Sequence, residues 1–299
     1  EKVAVRILDA TTGLKQTSQI GLNPHNQKLL EAALAKPFGM ILATGPTGCG
    51  KTTALYAVLQ RLNNEEVNIV SLEDPVEYFV AGVNQSQVRP EIGYDFAAGL
   101  RQILRQDPDI IMVGEIRDTE TAGLAVHAAL TGHIVLSTLH TNNSTSVIPR
   151  LVDMKVDGFL LPSSLNLMLA QRLLPKLCDK CRKPETPPDS MLEIIRKEME
   201  KLPTAVRNKL KLKDTYKVYH APGCSVCKNK GVSGRIAIFE VLKMTPQLAD
   251  IISGGSPTEA KISEEAKRQG MITMRQDGIV KALDGLVSME DVLRETSEI

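Results

Sequence analysis

The chain has 299 residues, with 36 Lys and Arg against 35 Asp and Glu, a formal net charge of +1. So even a balance offers no general attraction to nucleic acid or an anionic membrane, and no Trp with only five Phe and five Tyr leaves little to stack on bases. No apolar run approaches the ~20 residues that span a bilayer, and no signal peptide is visible. Domains of roughly 150 residues would make about two here.

The chain opens on Glu1, and residues 3–8 (Val-Ala-Val-Arg-Ile-Leu) read as a strand with no preceding partner, as expected of a piece of a longer protein. The polar stretch from Thr11 to Gln16 reads as a linker, so residues 1–20 are taken as the remnant of an N-terminal domain. Asn23 is placed to cap a helix with Pro24 at its first position, Leu29, Leu30, Ala33 and Leu34 forming the apolar stripe. From residue 39 strands and helices alternate. Four short apolar runs, 40–43, 68–72, 110–113 and 134–136, have the composition of strands buried on both faces. Between them, Lys51–Leu62 sets Leu55, Val58, Leu59 and Leu62 on one face, and Thr119–Leu130 runs from an Asp/Thr cap to Gly132. The expected fold is therefore α/β, a mostly parallel sheet covered by helices over residues 21–175. After Pro175 the composition shifts. Residues 176–234 read as a cysteine-bearing subdomain with a charged, helix-favouring insertion at 191–213, and 235–299 as a mainly helical subdomain entered through a strand at 235–239.

Gly45-Pro46-Thr47-Gly48-Cys49-Gly50-Lys51-Thr52 is a complete G-x-x-x-x-G-K-[ST] phosphate loop, between a buried strand and an amphipathic helix. Glycines let successive N–H groups curl around phosphates, and the helix N-terminus adds partial positive charge. Lys51 supplies a point charge to the β and γ phosphates, the Thr52 hydroxyl suits Mg²⁺, and Thr53 continues the nucleotide-binding run, so ATP with Mg²⁺ is the expected ligand. Cys49 reads as a small residue that the turn requires, rather than as a redox switch.

In a parallel sheet the ligand lies at the carboxyl ends of the strands. Leu72 is followed by Glu73-Asp74-Pro75-Val76-Glu77, Val113 by Gly114-Glu115-Ile116-Arg117-Asp118, and Leu136 by Ser137-Thr138-Leu139-His140. Asp107 and Asp109 precede their strand, roughly 13 Å from its far end, too far to hold the metal. Glu115 is assigned to Mg²⁺ and its water, and Glu73 to polarising the attacking water, with Asp74 and Glu77 in reserve.

Of the five cysteines, four form two pairs, Cys178-Asp179-Lys180-Cys181 and Cys224-Ser225-Val226-Cys227. Such CxxC pairs suit a tetrahedral structural Zn²⁺ in a reducing compartment better than disulfides.

These motifs, with the stretch Leu104-Arg105-Gln106-Asp107-Pro108-Asp109 and the run from Leu130-Thr131-Gly132-His133 to His140-Thr141, resemble the Walker A, Asp box, Walker B and His box of the secretion-ATPase superfamily. The cysteine pairs narrow the resemblance to its type IV pilus assembly and type II secretion branch. It covers nearly the whole chain; Cys49 stands where that family commonly has Ser. The resemblance implies a RecA-like core in a homohexamer that hydrolyses ATP on the cytoplasmic side of the inner membrane. Such a motor meets an inner-membrane platform protein, is held there peripherally through partners, and takes no nucleic acid. It further implies roles near the nucleotide or at subunit contacts for Arg6, Arg101, Arg105, Arg117 and Arg150. His133 and His140 fall in the His box; His127 lies outside it and reads as a helix residue. Two other classes fit parts of the pattern: a DNA-handling P-loop motor with a zinc ribbon, disfavoured by charge and few aromatics, and a non-hydrolysing ATP-binding scaffold, disfavoured by intact Lys51, Glu73 and Glu115.

Overall fold

The structure is a computed structural model, and it describes residues 15–209, 216–255 and 257–297. The expected strand at 3–8, with Arg6, lies outside the described residues, as do 210–213 of the insertion and the two residues after it.

The described chain runs α1 (Pro24–Leu34), β1 (Gly39–Thr44), α2 (Lys51–Leu62), β2 (Ile69–Glu73), β3 (Val83–Gln87), α3 (Phe96–Ile103), β4 (Ile110–Val113), α4 (Thr119–Leu130) and β5 (Ile134–Leu139). It continues through α5 (Val147–Asp153), α6 (Leu161–Ser164), β6 (Leu165–Leu177), β7 (Lys183–Glu185), α7 (Asp189–Glu200), α8 (Thr204–Lys209), β8 (Val218–His220) and β9 (Val232–Lys243). Four helices close it: α9 (Pro246–Ser253), α10 (Glu259–Arg268), α11 (Met274–Leu283) and α12 (Met289–Glu295).

Seven strands form one sheet in the order β3-β2-β4-β5-β1-β6-β9. The first six are mutually parallel, and β9 closes one edge antiparallel to β6. The four apolar runs thus became β1, β2, β4 and β5. Successive side chains of a strand point to opposite faces, so Met40 and Leu42 enter one apolar cluster with Leu100, Ala125 and Val126. Ile41 and Ala43 enter the other, with Leu55, Tyr56 and Leu59 of α2. Burial on both faces explains why these strands carry no polar alternation.

The helix ends follow the sequence. Asn23 Oδ1 accepts the Asn26 N–H at 2.9 Å, and Asp118 Oδ1 accepts that of Thr121 at 2.8 Å.

Residue 175 lies within β6 and residue 234 within β9. The strand expected at 235–239 is the middle of β9, which begins beside the cysteines and ends in the main sheet. Ala170 and Leu174 of β6 and Ile238 of β9 pack with Ile195 and Met199 of α7 and with Met274 and Ile279 of α11. The insertion and the C-terminal helices therefore share one apolar cluster with the edge of the main sheet.

Candidate functional site

The phosphate loop turns between β1 and α2 on three glycines in the left-handed region: Gly45 at φ 144°, Gly48 at φ 80° and Gly50 at φ 93°. At Gly45 a Cβ would lie 2.6 Å from the Gln171 carbonyl, so only glycine fits. Lys51 lies across the loop and donates to the Gly45 and Pro46 carbonyls at 2.7 and 3.1 Å. Burial lowers its pKa, while Cys49 and Glu115 pull it back up, so the Glu115 carboxylate is felt at the lysine. Thr52 is exposed in the first turn of α2, where an incoming cation can meet its hydroxyl. The Cys49 thiol is 4 % exposed, and burial raises its pKa, which keeps it a thiol at neutral pH.

Glu115 follows β4 and is bonded by Arg117 at 2.5 Å and by His140 Nε2 at 3.2 Å. Burial alone would raise its pKa, but the Arg117 and His140 contacts outweigh it and hold the carboxylate below its ordinary value. His140 is half exposed, just past the end of β5. The charge of Asp74 is felt at Arg117, and Asp74 is itself exposed. Lys51, Glu115, Arg117, His140 and Asp74 thus gather at one sheet edge.

Two of the expected site residues point elsewhere in this conformation. Glu73, assigned to polarising water, is 2 % exposed and has both oxygens engaged. Its Oε1 accepts from Ser71 Oγ at 2.6 Å and Gln85 Nε2 at 3.2 Å, and its Oε2 accepts from the Tyr56 hydroxyl. In this conformation it ties β2 to α2 and β3 rather than meeting water, because it is the last residue of a strand buried on both faces. His133 precedes β5, its carbonyl accepting from Gly39 N at the start of β1 and its Nδ1 lying 2.8 Å from the Ala128 carbonyl. That is the opposite end of the strand from His140, roughly 20 Å away at ~3.3 Å per residue. Within one chain His133 does not join the phosphate-loop edge.

Among the predicted arginines within the described residues, only Arg117 sits at that edge. Arg101 pairs with Glu120, Arg105 is exposed in the turn that leads into β4, and Arg150 is exposed in the last turn of α5. The sequence reading missed a cavity of about 280 Å³ beside α2, lined by Gly50, Thr53, Gln19, Gln171, Arg235 and Phe239. It adjoins the phosphate loop from positions as distant as β6 and β9, and no motif marks them.

The four paired cysteines converge, with all Sγ atoms within 4.8 Å of one another. Cys178 and Cys224 are 3.9 Å apart, Cys181 and Cys227 3.9 Å, and Cys224 and Cys227 3.8 Å. A tetrahedron with Zn–S bonds near 2.3 Å has edges of about 3.8 Å, so the thiols fit that metal geometry. The turns that aim them need glycine: at Gly231, φ 72°, a Cβ would meet the Ala221 carbonyl at 2.3 Å. Burial alone would raise the Cys227 thiol, but N–H groups of Cys224 and Gly231 point at its sulfur from 3.2 and 3.3 Å, and its pKa falls to about 6.

A glycine-rich phosphate loop on a mostly parallel sheet, with an acid at the carboxyl end of a strand two places away, defines the P-loop nucleotide-binding class of α/β proteins. The chain belongs to the family described as Type II/IV secretion system protein, whose model matches residues 1–294. It is 45 % identical over its whole length to the type IV pilus assembly ATPase PilB of Pseudomonas aeruginosa, covering 50 % of that protein. It is 43 % identical to the type II secretion system ATPase E of Vibrio cholerae, covering all of this chain and 56 % of that one. The chain thus spans about half the length of the curated relatives it matches. The structure of the pilus retraction motor PilT with bound ADP aligns at a TM-score of 0.69 with 27 % identity, over 98 % of this chain and 69 % of that one.

Proposed function

We propose that this chain is the motor portion of an ATPase that powers type IV pilus assembly or, in the runner-up reading, type II protein secretion. The observation that carries the proposal is that the phosphate loop after β1 and the Glu115 carboxylate after β4 lie at the same, carboxyl end of parallel strands in one sheet. The loop N–H groups and Lys51 bind the triphosphate, and Thr52 and Glu115 hold Mg²⁺, which supplies charge neutralisation at the phosphoryl oxygens. Glu115, held ionised by Arg117 and His140, orients the attacking water in place of Glu73, with Asp74 the second carboxylate at that edge. The cavity beside Thr53 takes the nucleoside end. Cys178, Cys181, Cys224 and Cys227 hold one structural Zn²⁺, which supplies a clip between the two ends of the insertion.

The motor works as a homohexamer with other components of a membrane machine, docking at an inner-membrane platform from the cytoplasmic side. Exposed Arg101, Arg105 and Arg150 serve subunit contacts, where a planar guanidinium reaches a neighbour's carboxylate or nucleotide. Among the described residues no helix is long and apolar enough to cross a membrane. Relatives named for pilus assembly and for secretion match almost equally, at 45 and 43 % identity. The deciding experiment places this chain in its full-length protein in strains lacking either ATPase. Restored piliation supports the first reading and restored secretion the second. Absence of ATP turnover by the assembled protein would reject both.

A further inference from the structure

The segment after His140, residues 141–146, has polar side chains throughout (Thr-Asn-Asn-Ser-Thr-Ser), yet it is fastened on three sides. Toward the phosphate loop, Thr141 N donates to Thr44 Oγ1 at 2.8 Å, and Thr44 immediately precedes Gly45. Beneath, the buried Arg172 donates to the Asn142 carbonyl at 3.1 Å, and the buried Glu240 of β9 accepts from Ser144 N at 2.9 Å and Ser144 Oγ at 2.7 Å. From outside, Glu259 Oε1 accepts from Asn143 Nδ2 at 2.9 Å and meets the Ser146 hydroxyl at 2.7 Å and that of Thr145 at 3.4 Å.

We infer that Glu259 is a positioning residue for the His140–Glu115 couple, acting by clamping the 141–146 segment from the first turn of α10. An acid in a first turn ordinarily serves its own helix, where it complements the N-terminal dipole. Glu259 does more than that, because one of its oxygens is aimed at three groups of a segment more than a hundred residues earlier. Those contacts, Asn143 first, also lower its pKa. The segment follows His140 directly, so a clamp on Asn143 and Ser146 fixes where the imidazole sits against Glu115. The C-terminal helices and the phosphate-loop edge then move as one body while the clamp is closed.

This inference rests on the proposed ATPase reading for its kinetic half alone. Glu259 is exposed, so its replacement spares the core and separates positioning from folding. In nucleotide-free protein, Glu259→Ala is expected to shift the His140 ring ¹⁵N signals, assigned by their loss in His140→Asn, with the melting temperature unchanged. In the ATPase assay the same variant should lower kcat by about ten- to a hundredfold, the scale of a misplaced catalytic group, with KM for ATP unaltered. Glu259→Gln, which keeps a carbonyl acceptor, should recover part of both effects. Unmoved His140 signals, or a KM rise with unchanged kcat, would overturn the clamp even if ATP is hydrolysed. A wild type without turnover would count against the ATPase reading and leave the spectroscopic arm to decide the inference.

Discussion

The phosphate-loop edge and the four-cysteine knot are built on opposite plans. Around the knot, two short CxxC turns and the glycines at 223 and 231 fix four sulfurs in metal-ready positions, with Sγ separations of 3.8 and 3.9 Å between neighbours. At the phosphate loop the groups come from β1, β2, β4, β5 and α2, and several are turned onto the chain itself: Lys51 onto its own loop carbonyls, Glu73 onto Tyr56, Ser71 and Gln85. The knot holds one geometry. The loop edge has partners to exchange when a triphosphate arrives, which is what a motor needs and a structural metal site avoids.

The largest effect should come from breaking the loop edge. Lys51→Ala and Glu115→Gln are each expected to reduce ATP turnover by about 10²–10³-fold or more, the scale for losing one group that stabilises transition-state charge. Lys51→Ala should also weaken nucleotide binding in a fluorescence titration. Turnover like the wild type in either variant would dissolve the site assignment. At the knot, Cys178→Ser should release the metal in elemental analysis and lower the melting temperature, since structural Zn²⁺ in small fingers contributes on the order of 10 kcal/mol to folding.

Acid separates the two regions. Despite its burial, the Cys227 thiol is held below its ordinary value by the Cys224 and Gly231 N–H groups, so protons compete with a metal for its thiolate as pH falls from neutral. Glu115 is also depressed, below the ordinary carboxylate range, so it stays charged through the same window. On acidification from pH 7, metal release is therefore expected while Glu115 is still ionised. An absorbing zinc chelator records the first event. Metal retained at pH 4 would refute this order.

Motifs were legible where chemistry forces a residue type at fixed spacing: the phosphate loop, the CxxC pairs, and the acids after β2 and β4. The four doubly buried strands were legible because burial on both faces leaves no polar position. β3 and β6 were not. β3 is an edge strand whose Asn84, Gln85, Ser86 and Gln87 carry no apolar signal. β6 is a Leu-rich stretch of 13 residues that fits a buried helix by length as well as a strand. At Glu73 the strand pattern left the side chain's direction open. Position at a strand end shows that a carboxylate reaches the site edge, but not whether Tyr56 and Gln85, on elements packed against its strand, take its oxygens first.

The Glu73 knot gives a smaller, structural prediction. Tyr56→Phe removes the hydroxyl that Glu73 Oε2 accepts from, inside a fully buried site. Leaving a buried carboxylate oxygen short of a donor costs about 1–3 kcal/mol. Chemical denaturation should register that loss, while KM for ATP stays as in the wild type. A large fall in turnover with intact stability would instead return Glu73 to the chemistry.

The smallest effect is expected at Cys49, and it tests whether the loop has a second, redox-sensitive state. The thiol is buried against Gly45 and kept protonated by that burial, despite Lys51 and Arg172 nearby. A protonated, inaccessible thiol is a poor target for peroxide, and its role reduces to filling the turn. Cys49→Ser keeps a small side chain there, at a cost of about 1–3 kcal/mol if the new hydroxyl finds no partner. The variant should retain most of its turnover, and wild type treated with peroxide should lose no activity that Cys49→Ser keeps. Peroxide inactivation abolished by the serine would show instead that the loop opens far enough to expose the sulfur. The lysine's bonds to Gly45 and Pro46 would then be only one of the loop's resting arrangements.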